Sequence, residues 1–448
     1  MMIKKAKNLR APAGRYLLTM ALLFGLSDVS SAHPGDLVKS FGSAGTTTIS
    51  VPMMDTADFF SMFTFVDHDN RVLSAFRMTD SDREVLVAVD GTGVVDPTFG
   101  TGGFLQTPEH SDFWGLQIDS ANRIVTVELW LSGPAPGVYA VRRLPDGSLD
   151  GSFGSGGLVD LGTLYPSLSV SYLALDEHDN VYIAGTVGSG ESVPAVARLD
   201  ATGNADLSFG SSGLASLRFK PAPDDSQSTA IAVAPDGSVF LGAVTFPATP
   251  LEVGEIIKFD ASGSLDTTFA SGGVREFETA GGSSGVTDVE SISFDASGNP
   301  VVAGISYDAA SPQSIAVARL DATGSFDKSF NKGNVLVLAD PGYSYQSPTV
   351  MVDGRGRVLV TGAASNLSTG NECLTAIRML EDGTFDSTFG DGAGRTLVGS
   401  VLGVSNASFT HDGSIVAFGS DYATGGTQGT VYEITGYDPP PILPPDHF

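Results

Sequence analysis

The chain has 448 residues, with 24 Lys+Arg against 51 Asp+Glu, a formal net charge of −27. A charge of that sign opposes nucleic acid and anionic membrane surfaces, both of which need a basic face. Apolar residues at 42% exclude wholesale disorder, and the 55 glycines follow no three-residue period, which excludes collagen.

The first element is an address signal. Lys4, Lys5, Lys7, Arg10 and Arg15 form a basic stretch, Tyr16 to Leu26 is largely apolar, and Ser30-Ser31-Ala32 offers small residues for a signal peptidase. That order is a secretory signal peptide over 1–32. Its apolar run is too short to span a bilayer, which takes about 20 residues. Removing it leaves a net charge of −31. The expected mature protein is secreted or periplasmic, without membrane insertion. The lone Cys373, beside Glu372, is expected to be an idle thiol.

From residue 33 to 436 the chain repeats itself. Phenylalanines stand at Phe41, Phe99, Phe153, Phe209, Phe269, Phe330 and Phe389, 54 to 61 residues apart. A glycine precedes each by six positions, from Gly35 to Gly383. An aspartate precedes six of them by three: Asp96, Asp150, Asp206, Asp266, Asp327 and Asp386. The first copy has Val38 there. Each period then carries four short alternating runs. In the third unit these are 157–161, 170–176, 181–185 and 193–199, with a turn at His178-Asp179-Asn180. Alternation over such lengths between Gly, Asn and Asp turns predicts strands, and no unit predicts a helix. Four strands in each of seven units predict an all-β fold, a seven-bladed β-propeller of four-stranded antiparallel blades. The chain opens with a joining strand that its last unit lacks. The 45–50 segment is therefore expected to pair with about 428–434 and close the ring. Past 436 a proline-rich tail, 437–448, fits a flexible segment.

Gly-Ser-Leu-Asp-x-x-Phe-Gly-x-x-Gly at 147–157, with Ala-Val-Ala-Arg-Leu at 195–199 and 316–320, resembles the delta-60 repeat family of bacterial secreted proteins. The resemblance covers about 35–436 and implies a β-propeller and export. It implies no activity, because that family's function is unknown. This chain departs from the pattern at Val38, at Ala270 and Asn331 after the phenylalanine, and in its last strand, 431–434.

Residues present in every unit are expected to serve the scaffold. The phenylalanine plugs the wedge between blades, and the aspartate caps a turn. A basic residue eleven before the phenylalanine (Arg142, Arg198, Lys258, Arg319, Arg378; Ala88 in one unit) is expected to make a structural ion pair. Function is then expected on the variable loops, which a four-stranded meander collects on the face opposite the repeated turns. Two groups stand out there. Glu109, His110 and Asp112, followed by Phe113 and Trp114, combine acid, imidazole and aromatic for proton transfer. Tyr343 and Tyr345, with Asp340 and Tyr307, suggest a sugar-stacking patch. The acidic runs 67–70 and 176–180 fall on hairpin turns and lack a calcium loop's remaining ligands. No catalytic residue, metal or cofactor is expected. The leading function is a monomeric binding or interaction scaffold for a protein, glycan or small molecule. The alternatives are a propeller lyase or hydrolase and a structural envelope or matrix component.

Overall fold

The computed structural model describes residues 33–50, 59–78, 83–108, 110–132, 135–188, 192–218, 225–246, 252–277, 286, 288–307, 312–421 and 428–436. The segment 1–32 expected to be a signal peptide, the 437–448 segment and Glu109 lie outside them. The described chain is a seven-bladed β-propeller of four-stranded antiparallel sheets. Innermost strands are Phe59–Val66, Ser111–Ile118, Leu168–Leu175, Asp225–Val233, Asp288–Phe294 and Tyr343–Val352, numbered here as blades 1 to 6. The 15-residue strand Arg395–Phe409 serves two blades. Its first part is the outer strand of blade 6 and its second the inner strand of blade 7. Residues 400–403 are therefore strand, and 27 strands among the described residues do the work of 28. Among the described residues helix is confined to single turns at Leu161–Leu164, where Asp160 caps Thr163 N–H, and at Asn331–Gly333.

Seven apolar clusters fill the seven wedges between neighbouring blades, with one repeat phenylalanine in each. Each of the seven is at most 2% exposed. Phe209, for example, lies between Tyr182 and Val196 of blade 3 and Leu241 and Ile257 of blade 4.

The repeat columns form one device around it. Two residues after each of the six aspartates stands a Ser or Thr, and it caps the carboxylate. After Asp206 this is Ser208, whose N–H and hydroxyl both donate to Asp206 Oδ1, at 3.0 and 2.6 Å. The other carboxylate oxygen takes the cation, Arg198 Nη2 at 2.6 Å, and that guanidinium stacks 4.6 Å over Phe209. Arg142–Asp150, Lys258–Asp266, Arg319–Asp327 and Arg378–Asp386 repeat the pair at 2.7–3.0 Å. Where Ala88 replaces the cation, Arg71 reaches Asp96 at 3.0 Å from the preceding hairpin. These hydrogen bonds and charges outweigh burial and hold the six carboxyls below their ordinary range.

The glycine six before each phenylalanine follows from a second contact. The residue after one phenylalanine donates its N–H to the hairpin of the next unit: Gly42 to Thr92, Gly154 to Thr202, Gly210 to Ser262, all within 2.8 Å. The series runs through all seven units and ends with Gly390 donating to Pro34 carbonyl, last to first. A Cβ on Gly263 would lie 2.6 Å from Gly210 N, and one on Gly35 2.5 Å from Gly390 N, so both backbones demand glycine.

The strand Thr46–Ile49 pairs antiparallel with Gly429–Ile434, Thr46 opposite Tyr432 and Ile49 opposite Gly429. The first motif sits on that last strand as every other motif sits on its own blade. Val38 N–H donates to Glu433 carbonyl as Asp206 N–H does to Arg198 carbonyl.

Candidate ligand site in the channel

A meander places the start of every innermost strand at the variable-loop face and its end at the hairpin face. Along the way each of these strands slips register, once in blades 1 to 6 and twice in blade 7, where a further slip falls at 403. The slip falls at residue 62 in blade 1, 114 in blade 2, 171 in blade 3, 229 in blade 4 and 290 in blade 5. In blade 6 it falls at 347–348 and in blade 7 at 405–406. In blades 1 to 6 each slip lies opposite the fourth or fifth residue of the second strand, so the bulges stand at one level around the axis. A bulge leaves its extra residue unpaired and re-aims it. The result is a cavity of about 630 Å³ lined by residues of all seven blades.

Its lining is not repetitive. Asp288 stands nearest the variable-loop mouth. The bulge level carries Trp114, Thr229, Glu290 and Ser347, and Tyr172 follows one step deeper. Below them Phe65, Ile231, Ile292 and Phe409 share the walls with Gln117, Ser293, Thr349 and Ser408. Tyr172 is 37% exposed, but into the channel, where walls exclude most hydrating water. That desolvation, with Asp288 and Glu290 nearby, pushes its phenol up to about 12. Burial and the Asp288 charge push Glu290 up to about 8, and burial with Glu252 raises Asp288. Tyr307 lies within reach of the same three acids and accepts from Gln313 Nε2 at 2.7 Å. No Lys, Arg or His is among the described residues lining the cavity.

At the hairpin end, blades 7 to 3 are tied turn to turn. Asn70 Oδ1 accepts from His411 N–H, Asn122 Oδ1 from His68 N–H, and Asp179 Oδ1 from Ser120 N–H, at 2.8–3.0 Å. The acidic runs at 67–70 and 176–180 are thus hairpin turns, with Asp67 and Asp176 accepting backbone N–H groups two and four residues on. Among the described residues no group of three His, Cys, Asp or Glu is disposed to hold a metal ion.

The residues singled out from sequence separate into three places. His110 is exposed, with φ at +55°, and its carbonyl accepts from Leu131 N–H. Asp112 is the second residue of the strand that follows, Ser111–Ile118, paired with Arg77 at 2.5 Å. Beside that pair is Glu84, fully buried, accepting from Phe113 N–H and pushed up to about 9, chiefly by burial. Trp114 is the part of the cluster that reaches the channel. The tyrosine patch needs correction. Tyr345 is 2% exposed inside the wedge of blades 5 and 6, so its ring has no face to offer a sugar. Arg395 holds the group together: it pairs with Asp340 at 2.6 Å, donates to Tyr345 Oη and lies over the Tyr343 ring. Cys373 is half-buried, its Sγ donates to Ala364 carbonyl, and burial raises its pKa, the reverse of an activated thiol.

Tyr172, Thr229, Asp288 and Glu290 escaped the sequence reading because no motif joins them. The signal present was a phase slip: in Asp288-Val-Glu-Ser-Ile the alternation breaks at Glu290, where the bulge falls.

A family model described as a domain of unknown function (DUF5122) beta-propeller matches residues 179–209 and 298–330. Those two segments are thus similar to units of a β-propeller repeat family of unknown function. No curated protein matches the chain. Among solved structures, a PL25 polysaccharide lyase, an ulvan lyase, is similar with a TM-score of 0.55 at 11% identity, over 87% of this chain and 96% of its own. The polysaccharide lyase Uly1 is similar with a TM-score of 0.50 at 10% identity, over 91% and 98%. At these identities the likeness is one of fold. Among the described residues no helix is long and apolar enough to cross a membrane.

Proposed function

We propose that this is an exported binding protein of the delta-60 repeat kind, built as one propeller over 33–436, whose channel takes a ligand from the variable-loop face. The observation that carries the reading is the ring of bulges, at least one in each innermost strand, around a 630 Å³ cavity lined by unit-specific side chains. A scaffold column repeats one residue type; these positions vary, with Trp114, Ser171, Thr229, Glu290 and Ser347 at the slips of blades 2 to 6, as a site's do. The strand Thr46–Ile49 acts as the clasp of the ring, since it completes the sheet of the last blade and Phe41 fills the wedge beside it. Export is supported by the tripartite segment ending at Ala32, and N-terminal sequencing of the exported protein should start near His33.

The chain has two tryptophans, and Trp130 is packed away on Tyr139 at 4.7 Å, so a Trp130→Phe variant leaves Trp114 as a reporter of the channel. A screen of small ligands should reveal saturable changes in its emission. Ligands that bind the protein without altering Trp114 would move the site to the loops and sink the channel reading.

An enzyme at the variable-loop face has one observation in its favour. Glu84 holds its proton at neutral pH beside Arg77 and Asp112, as a general acid must. The chain resembles in fold a lyase solved with -[GlcA(1-4)Rha3S]-, with a TM-score of 0.53. An anionic glycan of that kind would meet Asp288 and Glu290 in the channel with no cation opposing them. Turnover of ulvan that is lost in Glu84→Gln would establish the enzyme.

A further inference from the structure

The arc of blades 3 to 5 carries an uncompensated negative site. Asp288 and Glu290 lie two residues apart on one strand, both lining the cavity. Asp288 Oδ1 is buried without a hydrogen-bond partner. Thr229, on the neighbouring blade at the bulge level, is 8% exposed, lines the same cavity, and its Oγ1 also has no partner. A buried oxygen left unpaired is costly, and two on adjacent blades facing one cavity call for a donor to both. Trp114, Tyr172, Ile231 and Ile292 give the walls around them an aromatic and aliphatic part.

We infer that the channel binds a small organic ammonium ion. Its N–H groups would donate to Asp288, Glu290 and the Thr229 hydroxyl, and its carbon body would rest on Trp114 and Tyr172. Aromatic faces attract an ammonium group, and the missing basic residues leave the acids free for one. A hydrated divalent metal would gain nothing from such walls and would want more oxygen ligands than this arc supplies. The raised pKa values of Asp288 and Glu290 agree with a site whose counter-charge arrives with its ligand. This inference rests on the channel being the binding site, and its test separates the two.

The probe is benzylammonium, titrated into the full mature protein and followed by calorimetry and by Trp114 emission. Benzyl alcohol, benzoate and calcium are titrated alongside. Benzylammonium should bind saturably, and D288N/E290Q should weaken it by about 10-fold or more, the scale of one charged hydrogen bond. Exposed Glu381→Gln should leave it unchanged, which distinguishes a site from diffuse attraction to an acidic protein. Removing two crowded acids should not lower the melting temperature. If the double variant does not fold, D288N alone is read in the same way. Equal binding of benzyl alcohol or benzoate at Trp114 would overturn the ammonium assignment and keep the channel. Calcium binding that D288N abolishes would replace it with a metal site. No response of Trp114 to benzylammonium would also overturn it.

Discussion

The wedge between blades 3 and 4 and the wedge between blades 7 and 1 have the same geometry and different chemistry. In the first, Arg198 is clamped by Asp206 and stacked on Phe209. In the second, Phe41 is as deeply buried, the backbone bond from Val38 to Glu433 is in place, and Gly42 meets Thr92 as Gly210 meets Ser262. Yet the cation's position is Glu433 and the aspartate's is Val38. Glu433 is 6% exposed, faces Asp412, and is pushed up to about 7 by burial. Backbone contacts and the aromatic plug therefore define a wedge, and the ion pair is an addition that one wedge does without. The comparison also shows why the seam tolerates its departures: Val38 extends the apolar cluster at a position where a carboxylate would find no cation.

The largest effect should come from removing the seam altogether. Deleting 33–50 takes away Phe41, the Gly390–Pro34 bond and the strand paired with Gly429–Ile434. It should abolish cooperative unfolding of the whole ring; a truncated protein with an unchanged melting transition would refute the clasp. Next, Phe209→Ala empties a buried site at an interior wedge and should cost about 3–5 kcal/mol in denaturant titration. Phe41→Ala in the same range would show the two wedges to be equal in their plug. A loss below about 1 kcal/mol at Phe209 would mean the column does not hold blades together.

A smaller effect is expected from Asp206→Asn, which keeps the Ser208 cap in part and leaves Arg198 without its counter-ion. Because Arg198 retains the Ala261 carbonyl and the Phe209 face, the cost should be about 1–3 kcal/mol. The analogous seam change, Val38→Asp, should destabilise rather than rescue, since it puts a second acid beside Glu433.

The smallest effect distinguishes the wedges by pH. Glu433 holds its proton to about 7 in the folded ring, and in the unfolded chain it releases it near 4.5. Between those values the folded state binds more protons, so stability falls as pH rises and the loss is complete above about 7. Glu433→Gln should remove that slope and leave the variant roughly 1–3 kcal/mol more stable than wild type at pH 8, with little difference at pH 4. Asp206, held below its ordinary range, has the opposite sign: its contribution is present above the unfolded value and fades only as pH falls through the folded one. A Glu433→Gln variant that tracks wild type from pH 5 to 8 would show the carboxyl to be hydrated at the seam.

Sequence alone determined the units, their strands and the scaffold columns. These recur because each blade solves the same local problem: a glycine where two backbones meet, an aspartate that caps a turn and takes a cation, a phenylalanine in the wedge. Even the compensation by Arg71 for Ala88 comes from a residue within the same blade. The channel was decided elsewhere. Whether Trp114 points to solvent or to the axis depends on a one-residue slip against the neighbouring strand, and such a slip reverses the face of everything beyond it. Tyr172 and Asp288 come from blades that do not touch in sequence, and only closure of seven wedges brings them to one cavity. Tyr345 shows the converse, a tyrosine that reads as surface and is buried because the bulged strand turns it into the wedge. Local pattern fixes what repeats along the chain. What converges on the axis is set by register and ring closure, which are properties of the assembled sheets.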